Sequence, residues 1–230
     1  MKKKLLDVIA SIADHAATLG IFAPNDAELT QAIKTEGYYE RVFANASRDY
    51  YNDENDMDEE ALTALLLSLM ASQIRRAYIE GLREAGFDPR HMTGAMFAEI
   101  DEAINSEANF IFGYVADLKE AKENGAPIEF ISNRVDLWKA RFADMINRAI
   151  VTAAIVLNVH LVWEVGPTEH CSTCLALDQT VATATQWAIS GYKPQRPPNA
   201  LLECGGWRCQ CNLRVTTAPA TIPADGIITA

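Results

Sequence analysis

Five cysteines lie between residues 171 and 211 of a 230-residue chain, and none precedes them. Cys171 and Cys174 form a C-x2-C pair. Cys204, Cys209 and Cys211 follow inside Cys204-Gly205-Gly206-Trp207-Arg208-Cys209-Gln210-Cys211. A C-x2-C turn followed by a second close group is metal-ligand spacing. Thiolates are soft donors, and Zn2+ takes four ligands in a tetrahedron with no redox demand. A tight turn lets Cys171 and Cys174 face one point. A strand is expected over residues 209–216, so Cys209 and Cys211, two apart, leave the same face. Leu213 and Val215 continue that face and mark it as buried. Gly205 and Gly206 free the backbone to bring Cys204 toward the same point. Five thiolates for four positions leave one in surplus, and Cys204 and Cys211 are the two least secured by spacing. The competing readings are disulfides, buried cysteines acting as small apolar side chains, and a thioredoxin-like redox pair. The last needs a βαβ setting, and no such pattern surrounds Cys171. His170 offers an extra ligand but reads as a solvent-facing turn histidine.

The rest of the chain is of another kind. Leu5–Leu19 reads as an amphipathic helix with a basic start at Lys2–Lys4. Asp7, Asp14 and His15 interrupt its apolar run, so no signal peptide is expected. A second helical stretch runs from Asp26 to about Asn45. Longer helices follow at about Met57–Ala85, Thr93–Asn124 and Glu129–Asn158, with apolar residues recurring at steps of three and four. The stripes are Leu66, Met70, Ile74, Ala77 and Gly81 in the first, then Ile100, Ile104, Ile111, Val115 and Leu118. In the third they are Ile131, Val135, Trp138, Phe142, Met145, Ala149, Ala153 and Val156. Such near-heptad stripes favour long helices packed side by side. Ala149–Leu157 is apolar nearly all round, which predicts burial on several sides. Gly86, Pro89, Gly125 and Pro127 punctuate the pattern. The acidic run from Asp49 to Glu60 lacks the glycine and glutamate of a calcium loop; it reads as a solvated loop, with Asp56 and Glu59 as a capping box. Tyr38, Tyr39, Tyr50 and Tyr51 read as aromatic packing between helices.

At Val159 the period changes to two, so residues 159–165 read as a strand. Residues 180–189 read as one short helix or strand, and residues 218–230 as a mobile or partner-bound tail. The expected organisation is mainly α: a bundle of long helices over residues 1–158, a small α+β, zinc-ribbon-like cysteine module over 159–216, and a flexible tail over 217–230. No apolar run is long enough to span a membrane. A reducing cytoplasm would keep the thiols free for metal.

Trp163, the C-x2-C followed by Leu175 and Asp178, a loop with Pro197-Pro198, and the closing Trp207-Arg208-Cys209-Gln210-Cys211-Asn212-Leu213 resemble the C-terminal module of bacteriophage head morphogenesis proteins. These are the minor head proteins similar to the F protein of phage Mu. The likeness covers about a quarter of the chain. Gln179 stands where that family usually has glycine, and Cys204 sits near the place of its histidine before the closing pair. The resemblance implies a head-assembly role associated with the portal and other head proteins, bearing on DNA packaging or delivery. It also implies a life in the host bacterial cytoplasm and then in the virion head.

Catalytic patterns are not expected. The chain offers no phosphate-cradling glycine loop and no H-E-x-x-H, and a thiolate-rich site argues for a closed structural zinc. The alternative is a zinc-ribbon nucleic-acid-binding protein, with Lys193, Arg196, Arg208 and Arg214 beside Trp187 and Trp207. Charge weighs against it. The net charge is −11, and residues 167–230 hold four acids and four bases, so the whole excess lies in residues 1–166. An acidic body gives no steering toward phosphate.

Overall fold

The computed structural model describes residues 36–127, 130–167, 169–207 and 209–230. The protein is mainly helical, with a small three-stranded antiparallel sheet and a cysteine cluster. The helix expected over Leu5–Leu19 lies outside the described residues. Of the helical stretch expected from Asp26, residues 26–35 lie outside the described residues and the rest is α1 (Glu36–Tyr51), which runs on past Asn45. Then come α2 (Glu59–Glu84), α3 (Gly94–Glu123) and α4 (Phe130–Leu157), close to their expected bounds. All three end in a residue of positive φ: Gly86 at 79°, Gly125 at 62° and Asn158 at 53°. The next residues close each end with N–H bonds back to the helix, from Phe87 to the Leu82 oxygen, Ala126 to Ala121 and Val159 to Ala154. The α2 start differs from expectation. Asp58, not Asp56, caps it, its Oδ1 accepting from the Ala61 N–H at 2.8 Å. Asp56 instead adopts a positive φ in the preceding turn.

Packing divides the described residues into two compact units, those up to residue 72 with those of 105–135, and those of 73–104 with those from 136 onward. The first unit buries Tyr39, Phe43, Tyr50, Leu62, Leu66, Ile111, Tyr114, Val115 and Leu118. Tyr39 and Tyr50 thus serve as core, as the acidic surroundings predicted. Phe43 and Tyr114 pack with ring centroids 4.9 Å apart. The Tyr114 hydroxyl donates to Ser47 Oγ, which donates to the Phe43 carbonyl, so the buried hydroxyls are satisfied. Lys122 donates to the Tyr50 carbonyl and lies over the Tyr50 ring.

The second unit packs α2 against α4 at close range. A Cβ on Gly81 would stand 2.3 Å from the Ile146 oxygen. Glu99 accepts from Tyr78 Oη, Arg148 Nε and Thr152 Oγ1 at 2.7, 3.2 and 2.9 Å. The end of α4 corrects the sequence reading. Ala149, Ala153 and Ala154 are buried, but Ile155, Val156 and Leu157 are exposed, so that end of the helix is covered on its alanine face and not on several sides.

The sheet has β1 (His160–Glu164) at its centre, between β2 (Val181–Thr183) and β3 (Asn212–Thr216), both antiparallel to it. Leu161, Val162 and Trp163 are all buried, so both faces of β1 are covered. Trp163 stacks on Trp187 at 5.7 Å, and Trp187 Nε1 donates to the Leu161 oxygen. Asn147 of α4 accepts from the Leu213 N–H and so fixes β3 to the helix. Residues 180–189, expected as one element, form two. β2 ends at Thr183, which caps α6 (Ala184–Ser190) in a reciprocal box with Gln186. Residues 217–230 are docked along β2. Thr221 N–H donates to the Val181 oxygen, Gln186 Nε2 donates to the carbonyls of Pro223 and Gly226, and Ile228 is buried. No described helix is long and apolar enough to cross a membrane.

Candidate metal centre

The cysteines come from three local structures. Cys171 is the N-cap of the short helix α5 (Ser172–Leu177), and Cys174 sits in its first turn. Three residues on a helical start put both sulfurs on one side. The turn expected between them is therefore the opening of a helix. Cys204 lies in a loop that folds back on itself. Asn199, nearly buried, holds that loop by donating to the Gly191 and Lys193 oxygens and accepting from the Leu201 N–H. Gly206, at φ +80°, presses on the backbone of Arg196, where a Cβ would stand 2.9 Å from the carbonyl.

The loop is tied to α5 by one carboxylate. Glu203 Oε2 accepts from the Ser172 N–H at 2.9 Å and from Ser172 Oγ at 2.6 Å, and Thr173 Oγ1 accepts from the Glu203 N–H. These bonds lower the Glu203 carboxyl from its ordinary value, the Ser172 hydroxyl foremost. They also bring Cys204 beside Cys171. Nothing in residue spacing announces this clamp; a glutamate next to a cysteine has no motif.

Cys209 and Cys211 precede β3, which begins at Asn212. The strand expected from residue 209 is shorter because β1 ends at Glu164, the partner of Asn212, leaving residues 209–211 no neighbour to pair with. Gln195 Nε2 instead donates to the Cys211 carbonyl at 2.9 Å. Gly166 lets the two segments touch: a Cβ there would meet the Gln210 oxygen at 2.4 Å. That contact brings in His170. Its Nε2 bonds the Gly166 carbonyl at 2.7 Å, and its Nδ1 stands 3.6 Å from Cys211 Sγ. The turn histidine expected to face solvent is half-buried and points at the cluster.

All five cysteines are free. Their sulfurs gather as two groups of three that can hold a metal ion. Cys171, Cys174 and Cys204 lie within 4.8 Å of one another, and so do Cys174, Cys209 and Cys211. Cys174 belongs to both. Cys174 and Cys211 are buried, and the other three are half-buried.

The electrostatics fit a cation site. Burial, and then its hydrogen bond with Cys171, pushes the Cys174 thiol well above the ordinary range. The Cys211 contact and then burial do the same for Cys209, and burial raises Cys204. At Cys171 the upward pull of burial is outweighed by the backbone N–H groups of Cys174 and Cys204, and its thiol is lowered. Crowded sulfurs cannot all ionise by themselves, because each thiolate raises the cost of the next. A bound divalent ion reverses that and deprotonates the thiols it takes as ligands. Comparison with protein-family models, with curated proteins and with solved structures finds no match for the chain.

Proposed function

We propose that this protein is a phage minor head protein, a bundle of long helices carrying a zinc-ribbon-like module, with a structural and assembly role near the portal. The observation that carries the reading is the gathering of all five cysteines into two groups joined at Cys174, in the segment whose residues resemble the head morphogenesis module. Zinc is the ion that suits a thiolate-rich, redox-silent site, and it would supply folding energy to a segment of short strands and loops. The donors sit in a structural setting: the Glu203 clamp and the Asn199 loop lock the backbone around them. We assign no catalytic role to them.

Protein partners, portal or other head proteins, are favoured over DNA. Of the bases offered as a DNA face, Arg214 Nε is paired with Glu164 at 2.9 Å, and Arg196 stands 3.8 Å from the buried Asp144. Arg208 lies outside the described residues. The proposed setting is the host cytoplasm during assembly and the head of the virion afterwards.

The test is co-expression of the full chain with the portal protein of the same phage, followed by affinity capture, beside a titration with duplex DNA near physiological salt. The expected result is stoichiometric capture of the portal and no DNA binding tighter than ordinary non-specific contact, a Kd of about 10⁻⁴–10⁻⁶ M. Nanomolar, steeply salt-dependent DNA binding without portal capture would favour the zinc-ribbon alternative.

A further inference from the structure

A single tetrahedral zinc places its ligand sulfurs about 3.8 Å apart, given Zn–S bonds of about 2.3 Å. Four sulfurs of one site should therefore all be mutual neighbours. Here the five sulfurs form two triangles with one common corner at Cys174, and no group of four meets the same limit among the described residues. The arrangement is that of two adjoining groups sharing one cysteine.

His170 stands beside the second triangle at its Cys211 corner. A sulfur and an imidazole nitrogen bound to one tetrahedral zinc stand about 3.6 Å apart, from Zn–S near 2.3 Å and Zn–N near 2.0–2.1 Å. His170 Nδ1 and Cys211 Sγ are 3.6 Å apart. The Gly166 carbonyl can only accept, so Nε2 carries the proton of that 2.7 Å bond and Nδ1 presents its lone pair to the cluster. A ligating histidine fixed by its other nitrogen to a backbone carbonyl is the usual outer-shell arrangement. A single-metal site would leave this imidazole and one thiol idle against each other.

We infer that the cluster is a binuclear metal centre, resting on the metal reading above: one ion held by Cys174, Cys209, Cys211 and His170, a second by Cys171, Cys174 and Cys204, with the Cys174 thiolate as the bridge. Binding of the first ion draws Nδ1 inward from Cys211 toward Cys174 and Cys209. The second ion sits between half-buried thiolates and keeps a fourth position for water or an added ligand. Two divalent ions neutralise all but one of five thiolate charges, whereas one ion leaves two of four unbalanced. The site with four protein ligands, two of them buried, should hold its metal longer than the one with three.

The test is metal stoichiometry of the full chain by native mass spectrometry and elemental analysis, with zinc as the probe. Two zinc ions per chain are expected, the second lost first to a mild chelator. Cys204→Ser should fall from two ions to one, and His170→Ala, which leaves three thiolates at each site, should make the first ion as easily lost to the chelator as the second. Cobalt(II) titration of the unmodified chain provides a check that needs no variant. Through a shared thiolate, the paramagnetic signal should grow up to one equivalent and then weaken toward two as the ions couple. One zinc at saturation, with a cobalt signal that stops at one equivalent, overturns the binuclear centre and leaves the single structural zinc standing. A first ion as resistant to the chelator in His170→Ala as in the unmodified chain overturns the assignment of His170. No metal bound at all overturns both this inference and the reading it rests on.

Discussion

Cys174→Ser is expected to abolish metal binding, taking the chain from its full complement to none. Cys174 is the corner common to both sulfur groups, so every set of ligands that stays compact includes it. A serine hydroxyl is a hard, neutral donor and a poor substitute for a thiolate on zinc. Apparent binding energies of structural zinc are about 10–16 kcal/mol in small zinc-dependent domains, against total stabilities of about 5–15 kcal/mol for ordinary domains. Losing the metal therefore should unfold the loops around residues 165–211. The readout is tryptophan fluorescence and near-UV dichroism, since the stacked Trp163 and Trp187 lie in the same unit. Far-UV helical signal should fall far less, because the first unit has a separate core built on Phe43, Leu66 and Leu118. A Cys174→Ser protein that retains its metal would show that neither sulfur group is the site.

Gly81→Ala should lower stability, although alanine is the better helix former by about 1 kcal/mol. The added methyl would lie 2.3 Å from the Ile146 carbonyl oxygen and 2.8 Å from the Ala149 Cβ. Both belong to the packed face of α4, and a helix backbone cannot step aside as a flexible side chain can. α2 and α4 must separate, an overpacking cost of about 1–3 kcal/mol that exceeds the propensity gain at its upper end. The expected net loss is about 2 kcal/mol, or a Tm lowered by about 4–8 °C at this size. Gly113→Ala is the matched control. Gly113 is an exposed glycine in α3 with nothing within 4 Å of its Cβ direction, so the same change should stabilise by about 1 kcal/mol. Thermal melts of the two variants should move in opposite directions. A Gly81→Ala protein as stable as the parent would mean that the two helices have slack at this crossing.

Local rules carried the reading a long way where one segment decides the outcome by itself. The bounds of α2, α3 and α4 were legible because a 3.6-residue apolar stripe, a positive-φ terminator and a following proline act within a few residues of each other. Gly86 and Gly125 are the clearest cases. The strand pair of β1 and β3 was legible from alternation, and the candidate ligands from the crowding of a rare residue type into residues 171–211. The reading failed where a neighbour distant in sequence decides. Residues 155–157 are as apolar as the buried turn before them, but burial depends on what packs there, and these side chains are exposed. Cys209 continues the alternation of β3, but a strand needs a partner, and β1 stops at Glu164.

The amino-acid sequence by itself determined that the chain is mainly helical and that its cysteines crowd into one stretch with metal-ligand spacing. Only the tertiary structure decided how the thiols are arranged. Glu203 on Ser172 brings Cys204 to Cys171, Gly166 on Gln210 brings His170 to Cys211, and Cys174 becomes the meeting point. Residue spacing sets which sulfurs can come near one another within a turn. It carries no information on contacts between residues 31 or 41 apart in sequence, and those contacts determine whether five thiols make one site with a spare or two sites with a shared corner.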